Sequence, residues 1–124
     1  MALTTDGIAI PPLAEEHRMV RDLVARFVER DLMPLEPAVL RRESEGQRYG
    51  LTPEEEAPLL AKAKELGLYG LDVPEEFGGA DLPVTALMAI EEEMGRTVTP
   101  FIFPPDSPNL HMLLAVANPE QRMK

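Results

Sequence analysis

Three consecutive carboxylates, Glu91-Glu92-Glu93, and two histidines, His17 and His111, are residue types that could do acid–base or metal chemistry in this 124-residue chain. Their spacing argues against it. Neighbouring residues on a helix point about 100° apart, so three consecutive glutamates cannot share one site. A solvated helix face is the simpler reading. The histidines lack an i, i+4 ligand pair, and with no cysteine in the chain no thiolate metal centre is possible. No serine or threonine stands in a nucleophile–base pattern. Gly67, Gly70, Gly78 and Gly79 do not follow a strand in the spacing of a phosphate-binding loop. The expectation is a chain with no catalytic residue and no metal site, and the seven methionines read as core filler.

Composition narrows the class further. The hydrophobic fraction of 44% is ordinary for a globular protein, and the length suits one domain with a modest core. With tryptophan absent, Leu, Val, Ala and Met must fill most of that core. The net charge of −10 makes a nucleic-acid partner or an anionic membrane surface a poor fit. No stretch approaches the length of a transmembrane span. The first seven residues, Met1 to Gly7, carry neither a basic region nor a long apolar run. A cytoplasmic location is the expectation, and the lack of cysteine suits a reducing compartment.

The elements that must position any site read as helices. Residues 1–12 are expected to be a flexible lead-in. Pro11-Pro12 suits the entry to a first helix over Leu13 to Leu32, with Val20, Leu23, Val24, Phe27 and Val28 on one face and Pro34 ending it. A short second helix over Leu35 to Glu43 would turn Ala38, Val39 and Leu40 inward, with Pro37 in its first turn. A loop over residues 44–50 follows. Thr52-Pro53-Glu54-Glu55 is a capping box with proline at the first helical position. The helix it starts carries Leu59, Leu60, Ala63 and Leu66 to a glycine stop at Gly67. Pro58 should kink it or shift its start. Pro83 opens a fourth helix with Val84, Leu87, Met88, Ile90 and Met94 on its apolar stripe, closing at Gly95-Arg96. Residues 97–105 form an apolar crossing stiffened by Pro100, Pro104 and Pro105. A fifth helix, capped by Asp106 or Ser107, turns Leu110, Leu113, Leu114, Val116 and Ala117 inward. Asn118-Pro119-Glu120-Gln121 repeats the capping box. A helix of six residues does not stand alone in water, so a longer polypeptide is expected. The predicted fold is all-α, an orthogonal bundle of five to six helices.

Between the third and fourth helices lies Gly67-Leu68-Tyr69-Gly70-Leu71-Asp72-Val73-Pro74-Glu75-Glu76-Phe77-Gly78-Gly79. It is too rich in glycine for a helix. Val73 is biased to an extended backbone by Pro74, and Gly78-Gly79 supplies positions open to positive φ. The run reads as an ordered connector, pinned by Leu68, Tyr69, Leu71, Val73 and Phe77.

The connector resembles that of the N-terminal helical domain of acyl-CoA dehydrogenases: leucine-x-glycine-leucine, then x-(valine or isoleucine)-proline-glutamate-x-aromatic-glycine-glycine. Leu68, Gly70, Leu71, Val73, Pro74, Glu75, Phe77, Gly78 and Gly79 match it. Glu91 to Thr97 resembles the end of the family's fourth helix, and Asn118 to Lys124 resembles the start of its sixth. Phe103 to Leu110 is similar to a segment from a subgroup associated with long or hydroxylated acyl chains. The resemblance spans residues 13–124.

The resemblance implies α,β-dehydrogenation of an acyl-CoA thioester by a FAD-dependent enzyme in which this domain forms part of the acyl-chain pocket. Carried over by position, the substrate-binding wall is Phe101, Phe103, Pro104, Ser107 and Pro108. The flavin and the catalytic carboxylate belong to later domains, so this chain alone is expected to bind no FAD and to be inactive. The implied partners are the acyl-CoA substrate, an electron-transfer acceptor and further copies in a homo-oligomer, with no nucleic acid and no membrane span. Two other readings keep the fold: the same domain of an acyl-CoA oxidase or flavin-dependent monooxygenase, and a non-catalytic helical interaction module.

Overall fold

The computed structural model describes residues 3–5, 8–10, 12–47, 50–105 and 107–123; for residues 3–5, 8–10 and 107–109 only the backbone is described. Among these residues the fold is helical, with one short hairpin at its start. β1 (Leu3–Thr5) pairs antiparallel with β2 (Ile8–Ile10), Leu3 opposite Ile10 and Thr5 opposite Ile8. A flexible lead-in was the expectation for this stretch, so its hairpin is new. Six α-helical segments follow: α1 (Glu15–Phe27), α2 (Glu36–Ser44), α3 (Pro53–Glu65), α4 (Val84–Met94), α5 (Ser107–Val116) and α6 (Pro119–Arg122). None is long and apolar enough to cross a membrane.

The core forms where α1 packs on α4. Val24 and Phe27 of α1 are buried with Val28, Leu32, Val39, Leu59, Ala63, Leu68 and Ile90. Val20 and Leu23 sit half-buried at its edge. The expected face of the first helix is therefore the inward one.

Pro34 does not end that helix. It acts earlier and more gently. A proline ring clashes with the carbonyl four residues back and offers no N–H. The chain answers by widening into a π-helical turn over Val28–Leu32, where the Met33 N–H reaches back five residues to the Val28 carbonyl. It then tightens into a 3₁₀ turn over Met33–Leu35 and runs on into α2. In α2 only Val39 is fully buried, and Leu40 faces out.

α3 begins as its capping box requires. The Glu55 N–H donates to Thr52 Oγ1 at 3.2 Å, and the Thr52 N–H donates to Glu55 Oε1 at 3.0 Å. Arg42, near the end of α2, donates to the same carboxylate at 2.6 Å and to the Gly50 carbonyl at 2.8 Å. One glutamate thus caps α3 and fastens α2 to it. Pro58 lies inside the helix without moving its start. At the far end the Leu68 N–H bonds the Ala63 carbonyl and the Gly67 N–H bonds that of Lys64. That is a Schellman stop, with Gly67 at φ +78°.

The connector folds back on itself. Ala80 and Val73 N–H groups bond the Gly70 carbonyl, and the Asp81 N–H bonds that of Val73. Gly70 and Gly78 take positive φ. Gly79 is needed for a different reason from the one expected: a Cβ there would sit 2.0 Å from the Val73 carbonyl oxygen. Leu68, Leu71 and Val73 are buried, whereas Tyr69 and Phe77 stay substantially exposed.

α4 turns Ala86 and Ile90 inward, with Leu87 and Met94 half-buried. Val84 and Met88, expected on the inner stripe, are 70% and 62% exposed. The helix is rotated so that Ala86 and Ile90, rather than Val84 and Met88, face inward where α4 packs on its neighbours. Its end is held by Arg96, which donates to Glu93 at 2.8 Å and to Glu29 at 3.0 Å. These two carboxylates, Glu93 foremost, push the Arg96 pKa up.

Two outcomes are expected from this packing. Gly79→Ala should cost about 3 kcal/mol or prevent folding, because backbone must move to admit the methyl group. Gly95→Ala, at an ordinary helical φ, should shift stability by no more than about 0.5 kcal/mol in the same chemical unfolding experiment. The hydrogen bond from Thr52, opposed by burial and aided by Arg42, holds the Glu55 carboxyl below its usual value of 4.5. A depressed carboxylate stabilises the fold above that value and loses the contribution as pH falls below it. Melting curves of the native chain and Glu55→Gln should therefore differ near neutral pH and converge as the solution is acidified below 4.5.

Candidate acyl-binding surface

Residues 97–105 cross from α4 to α5, and two hydrogen bonds pin the crossing. Thr99 Oγ1 donates to the Leu32 carbonyl at 2.7 Å. At the other end the Gly70 N–H donates to the Pro104 carbonyl at 2.9 Å. Thr97 adds a third tie, donating to Glu36 Oε1 at 2.9 Å while accepting the Thr99 N–H at 3.2 Å.

Between the pins the segment forms no helix, and burial alternates over Phe101, Ile102 and Phe103. Phe101 and Phe103 turn toward the core. Their ring centroids lie 5.4 and 5.5 Å from that of Phe27, and 5.4 Å from each other in an edge-on arrangement. Such geometry is favourable for aromatic quadrupoles. Ile102, between them, is 74% exposed. Phe101, Ile102, Phe103, Pro100 and Pro104 border a hollow of about 340 Å³ that Leu60 and Glu56 of α3 also line.

A second groove, of about 410 Å³, runs between the connector and α5. Tyr69, Val73 and Phe77 form one bank, and Leu110, Leu113 and Leu114 the other, with Pro105 at one end. α5 is thus less covered than its apolar sequence predicts. Leu113 and Val116 are 54% and 76% exposed, and Leu110, Leu114 and Ala117 are half-buried. His111 Nε2 lies 3.3 Å from Asp72 Oδ2, the polar tie from α5 to the connector. α6 is capped by Asn118 and Gln121 as its sequence requires. Its Arg122 donates to the Leu114 carbonyl at 2.6 Å, bracing α5.

Of the five residues expected on the acyl wall, Phe101, Phe103 and Pro104 come together along the first hollow. Ser107 and Pro108 fall in the first turn of α5 with side chains outside the described residues, as does Asp106 entirely. Sequence reasoning did not single out Ile102, and it turned Tyr69 and Phe77 toward the core where the structure leaves them on the groove. Their signal was present: an apolar residue between two inward phenylalanines, and two aromatic residues in a connector whose glycines offer nothing to cover them. The three glutamates 91–93 fan around α4, with Glu91 and Glu92 exposed and Glu93 paired to Arg96. Among the described residues no group of three or more His, Cys, Asp or Glu could hold a metal ion.

The sequence profile described as "Acyl-CoA dehydrogenase, N-terminal domain" matches residues 14–124. The chain belongs to the acyl-CoA dehydrogenase family. It is 37% identical over 120 residues to (R)-benzylsuccinyl-CoA dehydrogenase of Thauera aromatica, covering 90% of this chain and 30% of that protein. It is 34% identical over 84 residues to (2S)-methylsuccinyl-CoA dehydrogenase of Cereibacter sphaeroides, covering 68% and 14%. Short-chain specific acyl-CoA dehydrogenase of Mus musculus mitochondria is 38% identical over 84 residues, covering 68% and 18%. The chain therefore spans less than a third of the length of these relatives. No solved structure gives a significant match. The family assignment agrees with the helical order and with the connector.

The ring cluster sets an expectation for stability. Phe27 is 1% exposed at its centre, so Phe27→Ala should cost about 3–5 kcal/mol in urea unfolding. Leu113→Glu, on the open bank of the groove, should leave the midpoint within about 0.5 kcal/mol. The same substitution should weaken binding of a hydrophobic dye to the groove.

Proposed function

We propose that residues 13–124 serve as the N-terminal helical domain of a FAD-dependent acyl-CoA dehydrogenase, with 1–12 as its lead-in. In this reading the complete enzyme removes hydrogen from the α and β carbons of an acyl-CoA thioester. Phe101, Phe103, Pro104, Ser107 and Pro108 contribute to the wall of the acyl-chain pocket, with Ile102 joining them. The observation that carries the reading is the crossing itself: an apolar, proline-stiffened segment fixed at both ends and left exposed along one side. A hydrocarbon tail needs such a lining, because it is recognised by shape and by exclusion of water.

This chain's own part is to bind and orient the acyl tail and to keep water from it. In the complete enzyme a bound flavin would supply the hydride-accepting chemistry. The glycine-rich connector does not fit that cofactor. The N–H groups of Gly67, Gly70, Gly78 and Gly79 are all engaged by carbonyls of this chain, which leaves a pyrophosphate no cradle there. FAD in this reading rests on other parts of the polypeptide, and the chain alone is inactive. An electron-transfer acceptor, a homo-oligomeric state and a cytoplasmic setting complete the proposal, and the absence of cysteine suits the last.

Two relatives are named for benzylsuccinyl-CoA and methylsuccinyl-CoA, so these thioesters, with a short-chain acyl-CoA beside them, are the substrates to test first. The protein purified from its own cells should show flavin absorption and reduce an electron-accepting dye with at least one of the three. A flavin-free protein inert toward all of them would overturn the enzyme reading and leave the helical interaction module.

A further inference from the structure

We infer that Thr99 is a positioning residue for the acyl-pocket wall, acting through the π-helical turn that ends at Leu32. The inference rests on the proposed acyl-binding role of the crossing and adds the element that sets where the wall stands.

Thr99 is 3% exposed and is the buried polar residue of the core among the described residues. A buried hydroxyl must find a partner or lose the hydrogen bonds it had in water. Its partner is unusual. The carbonyl of Leu32 sits where the helix tightens into its 3₁₀ turn, and with two lone pairs it can accept the hydroxyl beside a backbone donor. The Glu36 N–H, which in an unbroken α-helix would bond Leu32, bonds Met33 instead. The Leu32 carbonyl is thus not used up by α-helical bonding, and a residue 67 positions later in the chain donates to it. π-helical turns of this kind concentrate at functional sites. This one opens a socket for the crossing.

The consequence for the wall is geometric. Pro100 follows Thr99 with its φ fixed, and Phe101 and Phe103 then dock on Phe27, which immediately precedes the π-turn. The ring contacts and the hydrogen bond therefore refer to the two ends of one π-helical turn. They fix the height and the direction of Phe101-Ile102-Phe103 together. Ring packing alone tolerates sliding. The hydrogen bond, at 2.7 Å to one carbonyl, does not. Losing it should let the wall shift while the phenylalanines remain buried. A shifted wall changes contact with the acyl tail, not the chemistry at the thioester.

The test uses the complete flavoenzyme. Thr99→Val keeps the shape and removes the donor, and Thr99→Ser keeps the donor. Thr99→Val should raise KM for the preferred acyl-CoA by about three- to tenfold, the worth of one hydrogen bond, with kcat within about twofold. It should also flatten the preference between acyl groups of different size. Thr99→Ser should restore both. A merely structural role would lower the melting temperature and the yield of active enzyme without moving KM or the preference. Should Thr99→Val fail to fold, Thr97→Val decides, since it removes the ties to Glu36 and to the Thr99 N–H. It should raise KM in the same direction by about twofold to threefold. Unchanged KM and preference in the folded variants would overturn the positioning role while leaving the dehydrogenase reading intact. A native enzyme inert toward every acyl-CoA would overturn both.

Discussion

One hydrogen bond, from the Thr99 hydroxyl to the Leu32 carbonyl, ties the structure's two halves at their least regular point. On one side a proline has spread its clash over two turns of helix, first widening and then tightening them. On the other a segment with prolines at 100, 104 and 105 cannot form a helix and so cannot satisfy its own backbone. Each irregularity supplies what the other lacks. The Leu32 carbonyl receives the hydroxyl, and the crossing gains a fixed origin. From that origin the three phenylalanine rings assemble, and the connector's Gly70 secures the far end at Pro104.

The connector's glycines serve the same end. Gly67 stops α3, Gly70 and Gly78 reverse the chain, and Gly79 lets it pass against Val73. Their N–H groups close the loop on itself and on the crossing. What might have been a phosphate cradle is a brace. The bank it leaves open, with Tyr69 and Phe77 facing Leu110 and Leu113, is apolar surface that a chain of this charge would otherwise bury.

Local chemistry made much of this legible. The boxes at Thr52 and Asn118 need only residues three apart, so their hydrogen bonds form as the sequence implies. The Schellman stop at Gly67 is equally local. Phe27, Val24 and Val28 follow one helical face, and the structure buries that face. What stayed hidden depends on distant partners. A proline's clash announces that a helix must change, but not whether it ends or widens, nor that a hydroxyl 67 residues away bonds the carbonyl at that turn. The rotation of α4, which buries Ala86 and exposes Val84 and Met88, is set by packing that the helix's own apolar stripe does not announce. On the crossing, composition marked Phe101 and Phe103 as apolar, but only the anchored segment itself shows that Ile102 is the side chain turned outward.

The central claim is that an apolar wall, fixed at Thr99 and Pro104, meets the acyl tail. The most direct measurement is a crystal structure of the complete enzyme with an acyl-CoA bound. The account predicts the tail in van der Waals contact, about 4 Å, with the face formed by Phe101, Ile102, Phe103 and Pro104. A tail lodged elsewhere, with that face covered by another part of the protein, would contradict it.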